Sequence, residues 1–281
     1  MKVKSFTKKC LVLGGEGMLG HVVIKYIDSL PNFKVYFTTR NKEKGIYFDA
    51  YKDIRKIGDI IKKIKPELII NCIGIVNSLV KEYNKDMVTF INSYFPQKLA
   101  NICKLNNSKL IHISTDCVFS GKEGNYTENS PYSPMDFYGV SKAAGEIKDN
   151  RNLTIRTSIL GPEIKEPKTG LMEWFLKQKG KSVKGFTKAI WSGLTTLELA
   201  KKIIEMHEKN VTGIIHIVSE PITKYDLLSL IKIVYNKDII INADNNFICN
   251  RSMKSVRYDV NYSVPTHKQM LQDLKQWEKY R

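Results

Sequence analysis

The sequence predicts an α/β fold, a doubly wound parallel sheet with a smaller C-terminal part. Three observations predict it. Short apolar runs at residues 10–13, 33–38, 67–72, 109–113 and 153–158 alternate with helical patterns. A glycine triplet, Gly14-x-x-Gly17-x-x-Gly20, joins the first run to the first helical pattern. The residues able to do chemistry fall where runs end, which in such a sheet is the edge that takes ligands.

Residues 10–13 read as a buried strand leading straight into Gly14-Gly15-Glu16-Gly17-Met18-Leu19-Gly20. Glycine alone lets a backbone turn this tightly and approach a pyrophosphate. The helix that follows, patterned on Val22, Val23, Ile24, Tyr26, Ile27 and Leu30, presents free amides to that phosphate. Gly14, Gly17, Met18, Leu19 and Gly20 are the dinucleotide-binding candidates here. The second run ends in Thr38-Thr39-Arg40-Asn41-Lys42, with no acid. An acid at that position holds a free ribose 2′-hydroxyl, whereas an Arg accommodates a 2′-phosphate. The expectation is NADPH, with Arg40 on the 2′-phosphate; NADH stays possible.

Asp49 stands ahead of the next helical pattern (Ile54, Ile57, Ile60, Ile61, Ile64). It either meets the adenine edge or begins the turn into that helix. The run at 67–72 ends in Ile73-Gly74, and Gly74 would let a cofactor pass closely. A long helix is expected from Met87 to Leu105, with Asn92 facing inward.

The run at 109–113 leads into Ser114-Thr115-Asp116-Cys117-Val118-Phe119-Ser120-Gly121. A loop with Gly124, Asn125, Asn129, Pro131 and Pro134 follows. A helical pattern then runs from Asp136 through Ala143, Ala144 and Ile147. Tyr138 and Lys142 are four apart and share a helical face. A phenol titrates near ~10, and an ammonium one turn away stabilises its phenolate. Tyr138 is thus a candidate proton donor to a carbonyl receiving a hydride, with Thr115 bonding the same oxygen.

Residues 153–158 continue the alternation, and the pattern then loosens. Residues 171–176 suggest a short amphipathic helix, and a helix follows Thr196. Residues 213–218 read as a last buried strand, in which His216 is a satisfied core histidine. Helices are expected from Asp226 onward and around residues 269–277.

The net charge of +17 raises nucleic acid or a membrane surface as a partner. The lysines are spread with acids between them, which favours a soluble protein attracting an anionic substrate, with no nucleic acid and no membrane. No apolar run nears the ~18 residues of a membrane span. The basic stretch over residues 1–9 lacks the form of a secretory leader. Five scattered cysteines fit reduced cytoplasmic thiols, with no metal spacing.

These motifs resemble the extended short-chain dehydrogenases/reductases of Rossmann fold, and within them the dTDP-4-dehydrorhamnose reductase branch of nucleotide-sugar reductases. The carriers are the glycine triplet, Ser114-Thr115-Asp116-x-Val118-Phe119-x-Gly121, Tyr138-Gly139-x-Ser141-Lys142-x-x-Gly145-Glu146, Arg156-Thr157-Ser158 and Gly213-Ile214-Ile215-His216. The resemblance implies NADPH-dependent reduction at C4 of a nucleotide-linked 4-keto-6-deoxyhexose for cell-surface polysaccharide. Thr115 would position the keto oxygen and Tyr138 protonate it. Lys142 would tune Tyr138 and hold the nicotinamide ribose. It implies residues 1–160, rejoined by 186–218, as the NADP-binding part, and 161–185 with 219–281 as the substrate part. Cys117, Trp191 and Arg251 would meet the sugar nucleotide, Arg251 at the diphosphate. A homodimer is a family-level expectation.

Two departures leave the substrate open. Cys117 replaces the family's Tyr, and Phe186-Thr187-Lys188-Ala189-Ile190-Trp191-Ser192-Gly193-Leu194 replaces an Asp-Gln-x-Gly-x-Pro-Thr segment. A UDP-linked N-acetylated sugar is therefore also open. Cys117 stands where GDP-fucose synthases carry an epimerising cysteine, so an epimerase–reductase is a rival reading. A non-catalytic NADP-binding protein is another.

Overall fold

The computed structural model describes residues 7–180 and 182–279. Six residues of the basic N-terminal stretch, 1–6, lie outside that description. The first strand β1 (Lys8–Leu13), β2 (Phe33–Thr39), β3 (Ile46–Tyr47) and β4 (Leu68–Asn71) are joined by α1 (Gly20–Asp28) and α2 (Lys56–Ile64). Residues 10–13 are wholly buried, as expected of a parallel strand covered on both faces. α2 buries Ile57, Ile60, Ile61 and Ile64 on one stripe, each worth about 2 kcal/mol of apolar burial. It ends where Lys65 turns left-handed, at φ 53°.

The helix expected over residues 87–105 is not continuous. α3 (Lys85–Thr89) passes through a π turn, Phe90–Tyr94, into α4 (Phe95–Leu105). The wide turn carries Asn92 against Gly145, where a Cβ would stand 1.9 Å from the Asn92 carbonyl oxygen. Such turns recur at functional sites.

β5 (Lys109–Thr115), α5 (Phe137–Gly145) and β6 (Leu153–Thr157) complete the central alternation. α5 stops two residues short of Ile147. The Glu146 N–H closes on the Ala143 carbonyl while Glu146 itself turns extended. Its carboxylate is committed to tertiary partners, which overrides the apolar periodicity. β7 (Ile159–Leu160), α6 (Leu171–Lys177), β8 (Ser182–Trp191), β9 (Leu194–Thr195), α7 (Thr196–Glu208) and β10 (Gly213–His216) follow. The chain ends in β11 (Ile222–Thr223), α8 (Lys224–Tyr235), β12 (Ile240–Asn250) and α9 (His267–Lys279).

The seven-stranded sheet runs β10-β6-β5-β4-β1-β2-β3, with every pairing parallel. Strand order reverses beside β1, which opens a crevice at the carboxyl ends of β1 and β4. One apolar core lies under α1, α7, α8 and α9, another under α2 and α4, and a small third holds Val118, Phe119, Tyr126 and Met253. A second, three-stranded sheet, β11-β8-β12, was not read from the sequence. Residues 186–191 pair there with β12 and β11, not with the large sheet. The chain returns at α7, which packs on α1, and at β10, which pairs with β6. Among the described residues no helix is long and apolar enough to cross a membrane.

Candidate active site

The cleft is built from strand ends. Gly14, at φ +80°, donates its N–H to Thr38 Oγ1 at 3.3 Å, and Gly15 donates to the Thr38 carbonyl at 2.9 Å. These bonds hold the glycine loop across the ends of β1 and β2. A Cβ on Gly20 would meet the Gly14 oxygen at 2.2 Å, so α1 starts only because that residue is glycine. Met18 is half-buried. The Leu19 side chain sinks into the core, which leaves only its backbone for a ligand. Gly14 abuts Ile73, the neighbouring Gly74 is exposed, and a Cβ on Gly74 would stand 3.9 Å from Lys142 Nζ. A line of contacts thus runs from the glycine loop to the Tyr138 helix.

Arg40 is exposed beyond the end of β2. Asp49 does not cap α2. Its Oδ1 accepts the N–H groups of Tyr51 and Lys52 at 3.1 and 3.2 Å, seven residues before that helix begins. Glu16, which no sequence motif marks, accepts the Thr39 hydroxyl with its carboxylate and meets Lys165 at 2.8 Å and Lys44 at 3.6 Å.

Thr115 ends β5, where its hydroxyl accepts from Cys117 N at 3.2 Å and donates to Asp116 Oδ1 at 3.1 Å. Asp136 caps α5 through Gly139 N at 2.7 Å. A Cβ on Gly139 would strike the Cys117 carbonyl at 2.2 Å. That close approach sets Tyr138 against the Thr115 hydroxyl. Burial pushes the Tyr138 phenol up, Cys117 and Asp116 add to it, and the Thr115 bond opposes them. The expected lowering by Lys142 is not what this geometry gives, because Lys142 Nζ donates to the Ile113 carbonyl at 2.8 Å. Burial pushes that ammonium down to about 8, with Glu146 and Cys72 opposing. Asn92 locks the assembly. Its amide bonds both backbone groups of Ile75 at 2.9 Å and donates to Ser141 Oγ at 3.1 Å.

Beneath the site lies a buried polar network. Arg156 clasps Glu146 at 2.8–3.1 Å. Ser114 and Tyr132 also donate to Glu146, at 2.6 and 2.5 Å. His216 Nε2 accepts from Arg156 at 3.2 Å while Nδ1 donates to the Lys254 carbonyl at 3.1 Å. Burial holds its pKa near 4, the behaviour of a satisfied core histidine.

On the other side of Tyr138, Arg251 Nη1 donates to Cys117 Sγ at 3.3 Å, and Arg251 Nε is buried with no partner. Burial and Asp116 push the Cys117 thiol up. Trp191 is 4% exposed and donates to Ser158 Oγ at 2.8 Å. It supports Lys224, whose Nζ lies 4.9 Å over the ring, rather than offering an open face. Burial pushes Lys224 down to about 8, against the pull of Asp116, Cys117 and Cys249. Lys224 and Cys249 gave no sequence signal, because no local motif contains them.

The family described as RmlD substrate binding domain matches residues 8–233. The chain is 25% identical over 222 residues to the probable low-salt glycan biosynthesis reductase Agl14 of Haloferax volcanii, covering 74% of each chain. It is 30% identical over 155 residues to dTDP-4-dehydrorhamnose reductase of Aggregatibacter actinomycetemcomitans, covering 53% of this chain and 51% of that one. Its fold superimposes on the dTDP-4-dehydrorhamnose reductase of Bacillus anthracis, solved in complex with NADP. The TM-score is 0.79 at 19% identity, covering 96% of this chain and 99% of the other.

Proposed function

Because the chain belongs to the RmlD substrate binding domain family, we propose that it reduces the C4 keto group of a nucleotide-diphospho-4-keto-6-deoxyhexose with NADPH. The product would serve cell-surface polysaccharide synthesis. The observation that carries this reading is that Tyr138 lies against the Thr115 hydroxyl while Lys142, on the same helix, holds its ammonium on the Ile113 carbonyl beside Gly74. The B. anthracis neighbour holds NADP, and the shared fold supports a dinucleotide in the same crevice. Gly14, Gly17 and Gly20 would admit the pyrophosphate, and Gly74 and Lys142 would flank the nicotinamide ribose.

When bound, the dinucleotide supplies a hydride. The raised Tyr138 pKa keeps the phenol protonated at neutral pH, the state a proton donor needs. An alkoxide at C4 would be a far stronger base than a phenolate, so Tyr138 would give up its proton to that oxygen. Thr115 fixes the oxygen's position. Lys142, charged at neutral pH and held beside Gly74, would hold the nicotinamide ribose. Arg251 and Lys224 are cations beside Cys117, suited to an anionic sugar nucleotide. The large sheet would then hold the cofactor, and β8, β11, β12 and their loops the substrate. Work in the cytoplasm, as a homodimer, belongs to the same proposal.

The test is a screen of 4-keto-6-deoxy sugars on dTDP, UDP and GDP for NADPH oxidation. Turnover of at least one supports the proposal, and none with any of them overturns it.

A further inference from the structure

Glu16 sits where its sequence position does not place it. In a doubly wound sheet, an acid at the end of the second strand reads the free ribose 2′-hydroxyl. β2 ends at Thr39 and runs on into Arg40 and Asn41, with no acid. In space, the carboxylate is nonetheless there. Glu16 reaches from the glycine loop to accept the Thr39 hydroxyl. Its carboxylate side chain is only 8% exposed.

Two ammoniums balance this carboxylate from separate loops. Lys165 stands 2.8 Å away and Lys44 3.6 Å away, and both remain substantially exposed. The loop carrying Lys165 lies on the glycine loop, since a Cβ on Gly170 would meet Met18 Cε at 2.7 Å. With the exposed Arg40, three cations surround the end of β2. A 2′-phosphate would be drawn to them and would face the Glu16 charge at close range. Like charges in a partly desolvated site disfavour binding. A 2′-hydroxyl meets no such penalty and can donate to the carboxylate.

We propose that Glu16 is a specificity-determining residue for the dinucleotide, one that holds back selectivity for the 2′-phosphate and keeps NADH usable. Glu16 does so by its own charge and by engaging Lys165 and Lys44, which the phosphate would otherwise recruit. This rests on the reading that the glycine loop takes a dinucleotide.

The experiment is to titrate the full chain with NADPH and with NADH and compare dissociation constants, without need of turnover. In Glu16→Gln the preference for NADPH over NADH should rise at least about tenfold, with NADH binding weaker. Lys165→Ala should move the preference the other way by a similar factor, leaving NADH affinity within about twofold. It carries the test if Glu16→Gln fails to fold. A ratio that stays within twofold in the folded variants, or equal changes for both dinucleotides, overturns the inference while leaving the proposed function intact. Absence of binding by both dinucleotides to the unaltered chain removes the cofactor reading and this inference with it.

Discussion

Lys142 Nζ donates to the carbonyl oxygen of Ile113, 2.8 Å away and two residues before Thr115. The helix supplies the ammonium and the strand fixes it. The charge thus stays near Gly74 and the cleft whatever the Tyr138 phenol does. Holding it there costs solvation, which is why its pKa falls to about 8.

A pH limb follows. The unfolded lysine titrates near ~10.4, so between about 8 and that value the unfolded chain binds the extra proton. Stability therefore rises with pH through this window. Activity runs the other way, because the nicotinamide ribose that Lys142 would flank needs the ammonium. We expect kcat/KM to fall above about pH 8. Lys142→Arg should move that limb up by at least about two units. Lys224 is also pushed down to about 8. If Lys224→Gln moved the limb and Lys142→Arg did not, the assignment to Lys142 would fail.

Tyr138→Phe removes one hydroxyl at the end of a helix whose position Gly139 and Asp136 already fix. Loss of a general acid lowers rates by about 10²–10⁴-fold. Turnover should drop in that range, with the dissociation constant for NADPH within about twofold of the unaltered chain. Retained turnover would remove Tyr138 from the chemistry.

The Glu146–Arg156 pair is buried on both sides, at 0% and 2% side-chain exposure. Removing one member of such a pair leaves an uncompensated charge and costs about 3–5 kcal/mol. Arg156→Met should destabilise by that much in urea unfolding. Arg156→Met with Glu146→Leu should be less damaging than Arg156→Met alone, since neither charge of the pair is left without the other. A double variant at least as unstable as that single one would show that the pair contributes through more than its charge.

Asn92 joins α5 to the segment after β4 through three hydrogen-bonding groups of Ile75 and Ser141. Asn92→Ala should lower kcat about tenfold with KM for the sugar little changed, because α5 loses its anchor at Ser141 rather than the substrate its contacts. Asn92→Asp, which keeps the acceptor, should recover part of that loss. Equal loss in both variants accompanied by a collapse in melting temperature would mark the role as structural only.

The parts legible in the sequence were local. The glycine triplet lies within seven consecutive residues and the Tyr138–Lys142 pair within five, so residue type and spacing alone located them. Parts made by distant pairing were not legible. Glu16 finds Thr39 across 23 positions, and Arg251 finds Cys117 across 134. β12 reads Ile-Ile-Asn-Ala-Asp-Asn-Asn-Phe-Ile-Cys-Asn, rich in residues that disfavour strands, and forms by pairing with β8. The early end of α5 comes from Glu146, which turns extended to meet Ser114, Tyr132 and Arg156, distant partners that no periodicity records.

Cys117 separates simple reduction from epimerisation followed by reduction. An epimerising cysteine must take a proton from the sugar ring, which requires its thiolate. Here burial pushes the thiol well up and Asp116 adds to it, while Arg251 works in the other direction. The guanidinium donates to the sulfur at 3.3 Å, yet the net shift keeps the thiol neutral at pH 7. A neutral thiol is no base, so the sugar should take up no ring deuterium from heavy water in the absence of NADPH. Cys117→Ala should keep the rate of NADPH oxidation within about fivefold. Deuterium uptake that vanished in Cys117→Ala would establish the epimerase–reductase instead, and would mean that substrate binding brings Arg251 close enough to ionise the sulfur.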